Sequence, residues 1–211
     1  MVWPIRHPAN ETIHLDSVRI LNTDREAKLV LDEMRREILR SLAKEALTAR
    51  KLSTILCLSS PTVGHHLDAL SRSGFVEIVG TEAEAHGIVQ KFYRATAQAY
   101  IVQTRELSPV VRRYFMPARI ERTRGMAAAL SLNSGPGYLS SSRAVETVTE
   151  DLGEYIFQAA ELRQGQSLES DPEVLVNEIY TEALRQLLSI RPKMFPQPHL
   201  ESGKIVKPVK P

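Results

Sequence analysis

The stretch Ser60–Gly74, SPTVGHHLDALSRSG, constrains this chain more than any other. Ser60-Pro61 places a hydroxyl cap ahead of proline at the first helical position, where its missing N–H costs nothing. Val63, Leu67 and Leu70 follow at spacings of three and four, so the helix has one apolar stripe. Gly74 can take the left-handed conformation that closes a helix. Upstream, Thr48 is an N-cap for a short helix running to Leu56, and Cys57-Leu58-Ser59 is the turn between the two. Further upstream, Thr23-Asp24-Arg25-Glu26 is a capping box, and Leu31, Met34, Ile38 and Leu42 form the buried stripe of a helix that begins there. Downstream, Phe75–Val79 and Ile88–Arg94 are two strand-like runs joined by the polar loop 80–87, the pattern of a β-hairpin.

Two short helices joined by a tight turn must cross steeply, share an apolar seam and leave the start of the second one free. Leu52, Ile55 and Leu58 can face Val63, Leu67 and Leu70, and Ser53 is small where the helices approach. Thr62, Gly64, His65 and Asp68 then fall on the outer side of the second helix.

The order LTARKLS…LSSPTVGHHLDALSRSGFVEIV…KFYRAT, preceded by LDEMRREILRSLAKE, resembles the ArsR-like winged helix-turn-helix regulators over roughly a third of the chain. The resemblance implies that the helix at 60–73 reads DNA in the major groove, and that the hairpin is a wing along the backbone or minor groove. It also implies that Ser60, Thr62, Gly64, His65 and His66 meet DNA, with Arg94 near the base of the wing. The family's usual S-x-H-L is Gly64-His65-His66-Leu67 here. Its turn usually carries glycine where Cys57 stands, and a non-glycine residue with positive φ is uncommon. The wing tip Thr81–His86 is acidic, and carboxylates near phosphates argue against deep insertion. The physical candidates for phosphate contact are the hydroxyls of Ser59, Ser60 and Thr62, the amides at the helix start, and Lys51, Arg72, Lys91 and Arg94. His65 is the first candidate for a base edge and Thr62 the second.

The remainder of the chain reads as mainly helical. Residues 1–22 form an N-terminal arm in which Ile13, Leu15, Val18 and Ile20 fit a short strand, and 23–96 form the winged helix-turn-helix of three to four helices plus the hairpin. Residues 97–190 are read as an α-helical dimerisation or effector domain, and 191–211 as a flexible tail rich in proline and lysine. Within the third segment 97–107 reads as helical, and Ser108-Pro109 starts a helix towards Leu132 with a possible kink at Pro117. Residues 133–142 form a loop by composition, and Asp171-Pro172-Glu173 starts the last helix. Val145, Val148, Leu152, Tyr155, Ala159 and Leu162 alternate spacings of three and four as a narrow coiled-coil seam does, which fits core, dimer contact or both; a shared role is favoured. Tyr138, Tyr155 and Tyr180 fit core or interface better than a ligand cavity.

Net charge is +2 over 211 residues, so charge distribution decides more than its sum. The single cysteine cannot form an internal disulfide, and with no signal peptide or apolar span a cytoplasmic protein without membrane contact is expected. His65-His66 with Cys57 would make a poor metal site, because adjacent helical side chains point about 100° apart. No phosphate-binding glycine loop, H-E-x-x-H or nucleophile elbow is present. The expectation is a non-enzymatic, cofactor-free transcriptional regulator: a homodimer reading a pseudo-palindromic site on double-stranded DNA, with a small molecule or protein as possible effector. The alternatives are a winged helix used only for protein contacts, and a regulator holding a small molecule between its C-terminal helices.

Overall fold

The computed structural model describes residues 15–83, 89–131, 141–166 and 171–191. The elements run β1 (Asp16–Leu21), α1 (Asp24–Leu29), α2 (Glu33–Lys44), β2 (Leu47–Thr48), α3 (Ala49–Ile55), α4 (Ser60–Arg72), β3 (Val76–Ala83), β4 (Val89–Ala95), β5 (Ala97–Val102), α5 (Pro109–Ser131), α6 (Ser142–Glu161) and α7 (Pro172–Ile190). The mainly α class and the winged helix-turn-helix followed by helices are as read from the sequence. The loop expected at 133–142 lies outside the described residues up to 140, as do the arm to residue 14, wing positions 84–88 and the tail from 192.

The helix expected from Thr23 through Leu42 is two helices. Thr23 caps α1 by accepting from the Glu26 amide at 3.3 Å, and Asp32 caps α2 by accepting from the Arg35 amide at 3.0 Å. Between them the Arg36 guanidinium donates to the carbonyls of Val30 and Leu31, satisfying the free end of α1. A second capping signal inside one apolar period split what periodicity alone joins.

The winged half closes on one core. Leu42 of α2, Leu52 of α3, Val63, Leu67 and Leu70 of α4, and Phe75 are all fully buried together. Each such side chain contributes roughly 1.5–3 kcal/mol of burial. Ile55, expected in the seam, is half exposed instead; Leu52 and Leu56 point inward from α3. The three-stranded antiparallel sheet has the order β2-β4-β3, so the hairpin is tied back to the chain just before α3. A bulge at Val79 falls between the paired residues Ile78 and Gly80.

The segment 97–107, read as helical, holds a strand. β5 pairs in parallel with β1, Val18 opposite Ala99 and Ile20 opposite Ile101. Its alanines favour a helix locally, but Tyr100, Ile101 and Val102 favour a strand, and the partner strand lies some eighty residues away where no local window reaches it. The ribbon is two-faced. Leu21, Tyr100 and Val102 pack into the winged core, while Val18, Ile20, Ala99 and Ile101 pack against α6 and α7. Ribbon alternation thus joins two hydrophobic cores.

The second core holds Val148, Leu152, Ile156 and Ala159 of α6 against Leu175, Ile179, Ala183 and Leu187 of α7. The seam proposed for dimer pairing therefore lies within the subunit. Val145, Val148, Leu152 and Ala159 are buried, Tyr155 packs on the same core, and Leu162 alone is exposed. Its narrow stripe is satisfied by α7 and by the ribbon, elements that sequence periodicity does not show as partners. α5 continues through Pro117. Among the described residues no helix is long and apolar enough to cross a membrane.

Candidate nucleic-acid interface

The turn between α3 and α4 sets the geometry. After α3, the Leu58 amide donates to the Ser53 carbonyl at 3.0 Å and the Cys57 amide to the Thr54 carbonyl at 3.4 Å. After α4, Phe75 donates to Leu70 at 2.9 Å and Gly74 to Ser71 at 3.0 Å. Both are the paired bonds of a Schellman ending, which needs a left-handed residue just past the cap. Gly74 supplies it with φ 69° and Cys57 with φ 54°. Cys57 thus takes the glycine conformation, at a cost of about 1 kcal/mol for its Cβ.

α4 is capped one residue earlier than expected. Ser59, not Ser60, accepts from the Thr62 amide at 3.3 Å, and its hydroxyl lies 2.7 Å from that of Thr62. Pro61 stands in the first turn, where an amide is dispensable. The Ser60 hydroxyl lies 3.3 Å from that of Ser53, so Ser53 does more than occupy little space. Sequence spacing gave no sign of that link.

Ser59, Ser60, Thr62 and His65 are all exposed and gather on the leading end of α4. His66 is turned inward: half-buried, with its Nδ1 lacking a hydrogen-bond partner and its ring edge-on to His65 at 5.9 Å. At Gly64 an added Cβ would meet nothing within 4 Å. Among the described residues nothing requires glycine there, although glycine in a helix interior costs about 1 kcal/mol relative to alanine.

The basic candidates stand on three elements. Lys51, on α3, is exposed and 3.5 Å from Glu45. Arg72, at the far end of α4, is exposed and donates to the Asp68 carbonyl at 3.1 Å. Lys91 is exposed on β4 opposite Thr81. Arg94 sits half-buried opposite Glu77, its Nε buried without a partner. Asp68 is exposed beside the wing; burial first, and the Asp68 carboxylate second, raise the Tyr93 phenol above its ordinary pKa. Arg19, not singled out from sequence, clamps the base of this unit. Its guanidinium lies 4.4 Å over the Phe75 ring, pairs with Glu26 at 2.8 Å and donates to the Gly74 carbonyl. Tyr100 stacks on the Phe75 ring at 5.1 Å and donates to the Phe75 carbonyl at 2.9 Å.

No curated protein matches the chain. Among solved structures, reduced HlyU from Vibrio cholerae N16961 is 27% identical, with 48% of this chain and 84% of that chain covered and a TM-score of 0.29. The model of the family described as bacterial regulatory protein, arsR family, matches residues 32–77, which is α2 through the first residues of β3. Residues 32–77 are thus similar to the helix-turn-helix of the bacterial arsR regulatory family, set within a longer chain.

Proposed function

We propose that the protein is a sequence-specific transcriptional regulator of bacterial type, acting in the cytoplasm, with α4 lying in the DNA major groove. The observation that carries this reading is the leading face of α4: Thr62 and His65 are exposed, and among the described residues nothing packs where a side chain at Gly64 would stand. A glycine kept there at a stability cost fits close approach by something outside the subunit. Ser59, Ser60 and the amides of the first turn then meet phosphate, with Lys51, Arg72, Lys91 and Arg94 adding charge along the flanks. His65 reads a base edge, with Thr62 beside it. His66 supports the helix from beneath.

The reading unit is residues 23–96, and 97–190 supply the partner-making or effector half. Two copies would place two such helices in successive major grooves about 34 Å apart, so the site is pseudo-palindromic. With the seam of α6 occupied internally, Val110 and Tyr114 on α5, both more than half exposed, are the apolar side chains offered to a second copy. Glu82, exposed on the wing, supports one rival reading, a winged helix docked on a basic protein surface.

Footprinting on genomic fragments at several salt concentrations separates the two. The expected result is a discrete footprint whose log affinity falls with log salt by about 0.9 per phosphate contact. His65→Ala is expected to lose about 1–3 kcal/mol of discrimination at the read base pairs. Gly64→Leu is expected to leave thermal stability intact or raised while abolishing the footprint. A footprint indifferent to both substitutions, or none at all, overturns the proposal.

A further inference from the structure

Where the end of β5 meets α5 and α6 there is a cavity of about 40 Å3. Arg105, Arg112 and Arg119 line it. Two of these cations are compensated: Arg105 pairs with Glu154 at 3.0 Å, and Arg112 with Glu150 at 2.5 Å. Arg119 makes no ion pair among the described residues. Its guanidinium donates to the Thr104 hydroxyl and lies against α6 at Gly153, where an added Cβ would collide with it. A glycine inside a helix on one side, and an arginine thirty-four positions earlier in sequence on the other, are matched to seat that guanidinium.

Burial is the main cause that holds Arg119 below the ordinary arginine pKa. Arg122 and Arg112 add to the effect, while Tyr180 and Glu150 oppose it. Glu150 and Glu154 line the same cavity and are taken by Arg112 and Arg105, so the half-buried Arg119 is one cation more than the lining has carboxylates. A partly desolvated cation in excess is unfavourable unless something compensates it. A guanidinium carries five N–H donors in a planar fork, and that fork matches the two oxygens of a carboxylate. Met116 and Phe157 supply apolar wall in the same cavity. At this volume the space accepts about three water-sized groups, which suits a carboxylate with a short aliphatic stub and excludes a large ligand. Tyr155 and Tyr180, weighed from sequence as cavity aromatics, are not among its lining residues.

We propose that this cavity binds a small monoanionic carboxylate, gripped by Arg119 with its aliphatic part against Met116 and Phe157. The site stands apart from the DNA reading, so a failed footprint leaves its test untouched.

The test is titration of the full chain with sodium acetate and sodium propionate, against sodium chloride at matched ionic strength, followed by calorimetry and thermal unfolding. The expected result is saturable binding with a Tm rise on the order of 4 °C at a tenfold excess over Kd. Arg119→Gln is expected to lose the saturable response, and Thr104→Val to weaken it about fivefold, as a fork left without its orienting partner does. Should Arg119→Gln fail to fold, Arg119→Lys decides: it keeps the charge, loses the fork and should bind about tenfold more weakly. Stabilisation no greater than chloride gives, an unchanged response in these variants, or saturation by inorganic phosphate alone overturns the proposal.

Discussion

The two hydrophobic cores are built from different kinds of information. In the winged core almost every boundary is written beside the element it bounds: Thr48 and Ser59 cap α3 and α4, and Cys57 and Gly74 close them. In the second core the decisive contacts are remote. Val18 packs with Leu152 and Leu187, and the Ser17 amide reaches the Gln166 carbonyl at 2.9 Å, across most of the chain. The β1–β5 ribbon belongs to both, with Arg19, Leu21 and Tyr100 on one face and Val18 and Ala99 on the other. Local signals specify the reading head; long-range pairing specifies how it is held against the helices behind it.

The largest expected effect comes from breaking the shared ribbon. Val18 is fully buried against α6 and α7. Val18→Asp puts an unpaired carboxylate there, for an expected loss of about 3–5 kcal/mol. Because the ribbon's other face is part of the winged core, the damage should spread. Hydrogen exchange should quicken in α6, α7 and the last turn of α4 together. Faster exchange confined to α6 and α7 would show the cores to be separate, and the comparison above would fail.

The same contrast explains what could be read in advance. Helix starts at Thr48 and Asp171 and the stop at Gly74 were legible, because each rests on a side chain or a φ preference at the site itself. The hairpin was legible too, but β3 runs on to Ala83, through the first residues of the loop expected at 80–87. The split at Asp32 was missed because the apolar period of Leu31, Met34 and Ile38 runs through it, although Asp32 was a cap in plain view. β5 was missed because Ala99 is small for a different reason: it sits on the side of the ribbon pressed against helices. The leading face of α4 was legible as a pattern of Thr62, Gly64 and His65. Arg19 was not, since its value comes from Phe75 and Gly74 lying beneath it, and neither is near it in sequence.

A smaller effect tests whether the two helix endings are equivalent. Cys57 and Gly74 occupy the same left-handed position in the same hydrogen-bonded ending. Only Cys57 carries a Cβ that strains it, and its thiol is exposed, with only a long 4.0 Å bond to the Thr54 carbonyl to lose. Cys57→Gly is therefore expected to raise stability by up to about 1 kcal/mol in urea unfolding, with an unchanged denaturant slope. The reverse change at the other ending, Gly74→Ala, should destabilise by a similar amount, since a Cβ there meets nothing closer than the Arg19 guanidinium at 3.6 Å and only the backbone is strained. If Cys57→Gly lowers stability, the turn holds something in place that its hydrogen bonds do not reveal.

The smallest expected effect lies where the winged unit meets α5 without passing through the ribbon. Asp24, in the first turn of α1, accepts from the Ser108 hydroxyl at 2.5 Å and from the Ser108 amide at 2.9 Å, just ahead of α5. The hydroxyl bond first, and the amide bond second, hold its carboxyl below the ordinary aspartate range. A carboxyl depressed in the folded state stabilises the fold fully only above its unfolded pKa. That contribution falls once pH drops below the unfolded value and is gone below the depressed one. Asp24 is only half-buried, so the effect should be modest and blunted by salt. Urea unfolding of the parent and of Asp24→Asn should differ most near neutral pH and converge as pH falls through the acidic range. A gap that stays constant with pH would mean that the Asp24 charge adds nothing and that this joint, like the apolar packing of Ala27 on Leu107 and Val111 beside it, is held by shape.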